Sequence, residues 1–258
     1  RPKDKLNHQC RDELNAAKGE KDKLATYEKI TEQFKPVFHH YFLERFSDPA
    51  TWFAKRLAYT RSTACNSMVG YVVGLGDRHV DNILLEQQSC EVLHIDLGIA
   101  FDQGKTLRVS EIVPFRLTRD VVDGMGITGV EGAFRGCCEE TMKVLRANKE
   151  YVLTIAEVFL HDPLFRWSIS PALALQAQRN EDEEVVDFDV LSEEGSGDTT
   201  ENHHNKDAER TMLRLQAKLQ GCEYGEMLSV EGQVMQLINE AKDPMRLALM
   251  YPGWSPWI

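Results

Sequence analysis

Paired cysteines are missing from this chain of 258 residues. Its six thiols, Cys10, Cys65, Cys90, Cys137, Cys138 and Cys222, include no Cys-x-x-Cys. That excludes a secreted disulfide framework and predicts a reducing, intracellular compartment with the thiols used as small core residues. Long apolar runs are missing too. No segment is long enough to span a membrane and no signal sequence opens the chain, which begins Arg1-Pro2 without Met and so is expected to be an excised piece of a longer protein. A basic stripe of the kind a DNA-binding face needs is likewise absent. The net charge of -11 is mostly local, because residues 180–201 hold ten acidic side chains and no basic one. The remainder is close to neutral, so direct nucleic-acid binding is not expected, and any such role falls to partners or to segments outside these residues.

What the chain does contain is concentrated between Gly74 and Gly98, in GLGDRHVDNILLEQQSCEVLHIDLG. Gly74 and Gly76 interrupt a long apolar helical pattern and predict a helix end with a sharp turn before Asp77. Asn82 to Leu85 and Glu91 to Ile95 are short runs of strand type joined by a polar tract, which predicts a hairpin. A hairpin of that length brings Asn82, at its start, close to Asp96, at its end.

Phosphoryl transfer uses such a set: an acceptor for the nucleophile's proton, and oxygen ligands that hold Mg²⁺ on nucleotide phosphates. Protein kinases supply it as Asp, four residues, Asn, then a hairpin ending in Asp-Phe-Gly. Here the order is Asp77, four residues, Asn82, then a hairpin ending in Asp96-Leu97-Gly98. Asp-x4-Asn alone is a chance pattern and Asp-Leu-Gly alone a turn signal. Together and bridged by a hairpin they point to a phosphotransfer site. The rival is a metal-dependent hydrolase built from Asp77, His79, Asp81 and Asp96, which has no particular need of Asn82.

The rest reads as a mainly α scaffold. Tyr27, Ile30, Phe34, Phe38 and Phe42 recur at helical spacing in the leading residues 1–47, above a Lys- and Glu-rich face. Asp48-Pro49 caps and opens a helix that carries Trp52, Leu57, Met68 and Val72 into the catalytic loop. Residues 98–120 show no clean period and predict a functional loop. Thr128 and Glu131 form an expected capping box for a helix with inner face Val130, Phe134, Cys138, Met142 and Leu145. Tyr151 to Leu160 predicts a further helix, ended by Asp162-Pro163, and Pro171 another. Residues 179–206 predict a disordered acidic linker. Ala208, Met212, Leu215 and Leu219 mark an amphipathic helix closed by Gly221, and Val230 to Ala241 a last long one. The chain finishes Tyr-Pro-Gly-Trp-Ser-Pro-Trp-Ile. Its aromatics are expected to be buried and to clamp the helices after Asp96, since no Lys or Arg follows Arg246 to support a membrane anchor.

Asp-Arg-His-x-x-Asn, the hairpin to Asp-Leu-Gly and the terminal Tyr-Pro-Gly-Trp-x-x-Trp together resemble the phosphatidylinositol-3-kinase-related protein kinases. The resemblance covers nearly all the chain and is weakest in residues 1–35 and in the acidic linker. It implies a helical kinase C-lobe over residues 1–178, with a catalytic and metal hairpin at 74–98 and an activation segment at 98–120. A regulatory helix over 207–225 and a small helical FATC domain over 226–258 would follow the linker. It further implies a Ser/Thr protein kinase that uses ATP with Mg²⁺ or Mn²⁺ and prefers Gln after the target residue. The full-length parent would be a homodimer, nuclear with some cytoplasmic fraction, and would serve DNA repair and checkpoint signalling through a DNA-break-sensing complex reached by other segments.

By motif matching, Asp77 would orient or deprotonate the substrate hydroxyl and His79 would contact the γ-phosphate. Asn82 and Asp96 would hold the metal, and Leu84 and Ile95 would floor the adenine pocket. Asp96, Leu97, Gly98, Lys105, Pro114 and Arg116 would belong to the activation segment, and Tyr251, Trp254 and Trp257 would pack the tail. The family's glycine-rich loop and ATP-gripping Lys have no counterpart before Pro49, so these residues are expected to carry the site without the activity. A lipid kinase is disfavoured, because only Lys105 and Arg108 between Ile99 and Glu111 could meet a phosphoinositide head group. A non-catalytic scaffold would be expected to lose the Asp and Asn that are intact.

Overall fold

The computed structural model describes residues 5–160 and 200–258. The helix expected from Pro171 and most of the acidic tract lie outside them. The fold is mainly helical, and among the described residues no helix is long and apolar enough to cross a membrane.

Its axis is α4, Pro49–Val73, preceded by α1 (Asn7–Ala16), α2 (Glu20–Gln33) and α3 (His39–Arg45). The Asp48 carboxylate accepts the Thr51 N–H at 2.8 Å and Pro49 occupies the first turn, so one orphan donor is capped and one was never there. At the other end Gly74, at φ 63°, closes the helix in the left-handed region. A Cβ there would also collide with the Asp102 amide, which donates to the Gly74 carbonyl at 2.9 Å. The helix end is thereby fixed against the segment that follows Asp96.

Behind α4 lie β1 (Ile83–Leu85) and β2 (Val92–His94), antiparallel with Leu84 opposite Leu93. Then come α5 (Arg119–Gly124), α6 (Ala133–Ala147) and α7 (Lys149–Leu160). Phe134, Cys138 and Met142 are fully buried against Ala64 and Met68 of α4, as the sequence period requires. The capping box does not form: α6 starts at Ala133 behind Gly132 without a side-chain cap, and Glu131 pairs with Arg135 at 3.3 Å instead. The run Gly129 to Gly132 turns the chain with both glycines at positive φ, which displaces the helix start from Thr128.

After the undescribed stretch, α8 runs Thr200–Gln220, followed by β3 (Cys222–Glu223), β4 (Glu226–Met227), α9 (Val230–Lys242) and α10 (Pro244–Leu249). Residues 200–206, expected within the linker, are instead the first turns of α8, because no Pro or Gly interrupts residues 200–220; the rest of the expected linker lies outside the described residues. The expected regulatory helix also stops short of 225, since Gly221 ends it and a short hairpin follows. Leu215, Leu219, Leu237 and Ile238 complete the main core.

The apolar stripe of the leading helices is divided between two cores. Phe38 and Phe42 join the main one, while Tyr27 and Ile30 pack with Cys10, Leu14, Leu247, Trp254 and Trp257 in a second. Pro36, between the helices, breaks the period and redirects the chain. The aromatic tail thus covers α1 and α2 as well as α10, a helix after Asp96, and Ile112 and Val113 of the activation segment touch the same core. Cys65 is exposed, unlike buried Cys10, Cys90 and Cys138, so the thiols are not uniformly core residues.

Candidate active site

Each side chain of the loop is held from the backbone outward. Asp77 has φ 56° and Asp96 φ 53°, left-handed conformations that Asp tolerates better than most residues. Residues on the two strands of chain leading to them are cross-linked: the Gly76 N–H donates to Ile99 at 2.8 Å, and the Phe101 N–H donates to Val73 at 2.7 Å. Asn82 sits at the end of a short 3-10 turn and is buried. Its Nδ2 donates to the Asp77 carbonyl at 2.9 Å and to Asp77 Oδ2 at 3.3 Å. With the nitrogen so committed, Oδ1 is the atom left to ligate.

Arg78, between Asp77 and His79 in sequence, points the other way. It is 4 % exposed and gives Nε to the Gly76 carbonyl and Nη1 to the Ile95 carbonyl, both at 2.7 Å, with Nη2 on the Asp96 carbonyl. One buried guanidinium therefore ties the loop before Asp77 to the backbone at Asp96. Burial pulls its pKa down, and the carboxylates of Asp77, Asp96 and Glu111 oppose that. Nothing in the sequence marks Arg78 for this role. An Arg flanked by two polar residues in a loop carries no burial signal.

His79 lies between two carboxylates, with Nε2 3.8 Å from Asp77 and Nδ1 3.8 Å from Asp81. Nδ1 also accepts the Asp81 N–H at 3.2 Å, which leaves the proton of a neutral ring on Nε2, the Asp77 side. Asp81 itself is outermost, its side chain 89 % exposed. Leu84, Leu93 and Ile95 form an exposed apolar face on one side of the hairpin. On the other side His94 is held neutral, its pKa drawn down to about 4 by burial and by Arg78.

Of the remaining predicted residues, Leu97 is exposed, and Gly98 donates to Asp96 Oδ1 at 3.4 Å. Lys105 pairs with Asp102 at 3.1 Å and Pro114 is half-buried. Arg116 is buried: it gives Nη1 to the Trp254 carbonyl at 2.6 Å and, at 3.5 Å, to that of Arg78, and Nη2 to the backbone oxygens of Ser255 (2.9 Å) and Ile258 (2.6 Å). Asp102 also takes Nζ of Lys218, from α8, at 3.0 Å. Burial works to raise Asp102, but Lys218 and Lys105 outweigh it and hold the carboxyl below its usual range.

As for a divalent cation, among the described residues no three His, Cys, Asp or Glu side chains converge where one could be held by protein alone. The donor set does fit Mg²⁺ on a nucleotide, where one carboxylate (Asp96), one amide oxygen (Asn82) and phosphate oxygens share the coordination.

Glu111 is the other site residue that nothing in the sequence marks. Burial pushes its carboxyl up to about 7, the Asp77 charge adds to that, and the Asp77 N–H and Arg78 oppose it. A carboxyl raised this way binds its proton more tightly when folded. Its stabilising contribution is complete below about pH 4.5 and is lost as pH rises through about 7. We expect the wild type to lose about 2 to 3 kcal/mol between pH 5 and 8 relative to Glu111→Gln. Urea midpoints at the two pH values measure this, and parallel curves for the two proteins would refute it.

The phosphatidylinositol 3- and 4-kinase family matches residues 3–169 of this chain, and the FATC domain matches residues 227–258. The Serine/threonine-protein kinase ATM of Arabidopsis thaliana is 55% identical over 249 residues, 96% of this chain and 6% of that protein. The Serine-protein kinase ATM of Sus scrofa is 50% identical across 100% of this chain and 9% of its own length. Among solved structures, the FAT and kinase domain of CtTel1 superposes with a TM-score of 0.84 at 43% identity, covering 100% of this chain and 16% of that one. The complete CtTel1 dimer with C2 symmetry gives the same score and identity over 9% of its chain. This chain thus spans less than a tenth of the length of these curated relatives.

Proposed function

The chain belongs to the phosphatidylinositol 3- and 4-kinase family and carries a FATC domain, and from that premise we propose that it forms the catalytic C-lobe of a Ser/Thr protein kinase. The observation that carries the reading is the commitment of Asn82 Nδ2 to Asp77 while Arg78 ties the same loop to the Asp96 backbone. Proton acceptor and metal donors are thereby set in one rigid unit. Asp77 orients the Ser or Thr hydroxyl and takes its proton. His79 presents Nε2–H toward the γ-phosphate. Asn82 Oδ1 and Asp96 would hold Mg²⁺ or Mn²⁺, which supplies charge neutralisation on the ATP phosphates. Leu84 and Ile95 give the adenine ring an apolar floor.

The activity is that of the longer protein, whose N-terminal lobe supplies the remaining nucleotide contacts. By likeness to the ATM and Tel1 kinases, the substrates are proteins with Ser or Thr followed by Gln, the parent is a homodimer, and its signalling serves nuclear DNA-break repair and checkpoints. Two measurements test this. The parent is expected to phosphorylate a Ser-Gln peptide in preference to its Ser-Ala counterpart. Asp96→Ala is expected to weaken Mg·ATP binding at least about tenfold, by loss of the charged ligand, while leaving metal-free ATP binding unchanged. Equal rates on the two peptides would remove the Gln specificity, and undiminished metal-dependent binding would remove Asp96 from the metal site.

A further inference from the structure

The Asp77 backbone is held in a conformation that its own sequence does not enforce, and the group that holds it comes from far along the chain. Glu111 Oε1 accepts the Asp77 N–H at 2.8 Å. The other oxygen, Oε2, lies in a cradle between two glycines. A Cβ on Gly76 would stand 2.6 Å from it, and one on Gly104 would collide with it as well. The carboxyl group is thus enclosed by backbone on both sides, and a side chain at either glycine would expel it. Glu111 is itself fixed, because its N–H donates to the Gly104 carbonyl at 3.0 Å and closes residues 104–111 into a loop. Ser110 Oγ ties that loop to the Lys105 carbonyl at 2.9 Å.

We propose that Glu111 is a positioning residue for Asp77: by accepting the Asp77 amide it keeps that residue left-handed and its carboxylate directed at the substrate hydroxyl. The inference deepens the reading of Asp77 as the proton acceptor and rests on it. Its physical content is that the bond exists only when residues 104–111 are docked. The activation segment therefore reports its own order to the catalytic loop through one hydrogen bond. Without it, the Asp77 amide is unpaired and the residue is free to return to the commoner negative-φ regions, which moves the carboxylate off line. Misplacement of a reacting group by about 1 Å costs roughly 10²-fold in rate.

The test uses the parent kinase with two variants of similar volume at one position. Glu111→Gln keeps an acceptor oxygen at the Asp77 amide, and Glu111→Met does not. The Met variant is expected to lose about 10²-fold in kcat with KM for ATP unchanged, and the Gln variant to stay within about threefold of wild type. Hydrogen exchange read at the Asp77 amide is expected to accelerate at least about tenfold in Met and little in Gln. Equal rate loss in both variants, a loss expressed in KM, or an Asp77 amide as protected in Met as in wild type would each overturn the proposal. If Asp77→Asn proves fully active, the proton-acceptor reading fails instead. The exchange measurement then still decides whether Glu111 holds the loop.

Discussion

Asp77→Asn in the parent kinase is expected to lower kcat by about 10² to 10⁴-fold, the range set by loss of general base catalysis, with ATP affinity retained. The prediction follows from what the carboxylate does and does not support. Its Oδ2 accepts from Asn82 at 3.3 Å, and an Asn at this position offers an oxygen to the same donor. The backbone carbonyl that accepts from Asn82 at 2.9 Å and the amide that donates to Glu111 are untouched. The scaffold should therefore persist and the metal ligands stay in place. What disappears is the negative charge proposed to accept the proton, next to a His79 Nε2 only 3.8 Å away. Steady-state kinetics on a Ser-Gln peptide decide the matter. Full activity, or a defect confined to ATP binding like that expected of Asp96→Ala, would show that the two carboxylates do not divide the work in this way.

Much of this site was legible because its parts are consecutive. Asp77, Asn82 and Asp96 sit on one loop and one hairpin, so a fixed spacing in sequence becomes a fixed spacing in space. The Asp48-Pro49 start and Gly74 end of α4 were readable for the same reason, since caps are local chemistry. Glu111 was not readable: it reaches Asp77 across 34 residues, from a segment with no period, and only the docked loop shows the contact. Nor was the bonding of Arg116 readable, beyond its expected place in the activation segment. Its three acceptors in the tail are backbone oxygens about 140 positions away. The leading helices mislead in another manner, because one apolar stripe serves two cores and periodicity says nothing of which partner each turn will meet. The capping box failed where glycines at 129 and 132 gave the chain an alternative turn.

Trp254→Ala is expected to cost about 3 to 5 kcal/mol of stability in the second core and to depress kinase activity strongly, although the residue is buried in that core. Trp254 is 4 % exposed and Trp257 2 %, so the tail is packed rather than presented to a lipid surface. Tyr251 is only half-buried and contributes less. The tail is anchored at both sides. Trp257 Nε1 donates to Asn7 Oδ1 at 3.1 Å, the first residue of α1, and the guanidinium of Arg116 stacks 4.3 Å from the Trp254 ring while bonding the tail carbonyls. Burial draws Arg116 down to about 9, which leaves it charged at neutral pH. That buried charge has the Trp254 ring, the tail's backbone oxygens and, at 3.5 Å, the Arg78 carbonyl as its compensation. Loss of the ring frees a cavity and strips one of those partners, so the disturbance passes through Arg116 to the backbone between Asp77 and His79. A contrast sharpens the test. Among the described residues the Trp254 indole N–H is buried without an acceptor, so Trp254→Phe removes an unsatisfied donor along with some volume and should cost under about 1.5 kcal/mol. Denaturation midpoints and kinase rates for the two variants, measured side by side, check the argument. If Ala and Phe are equally benign, or if deletion of residues 251–258 leaves both stability and activity intact, the tail is not the clamp on Arg116 that its packing implies.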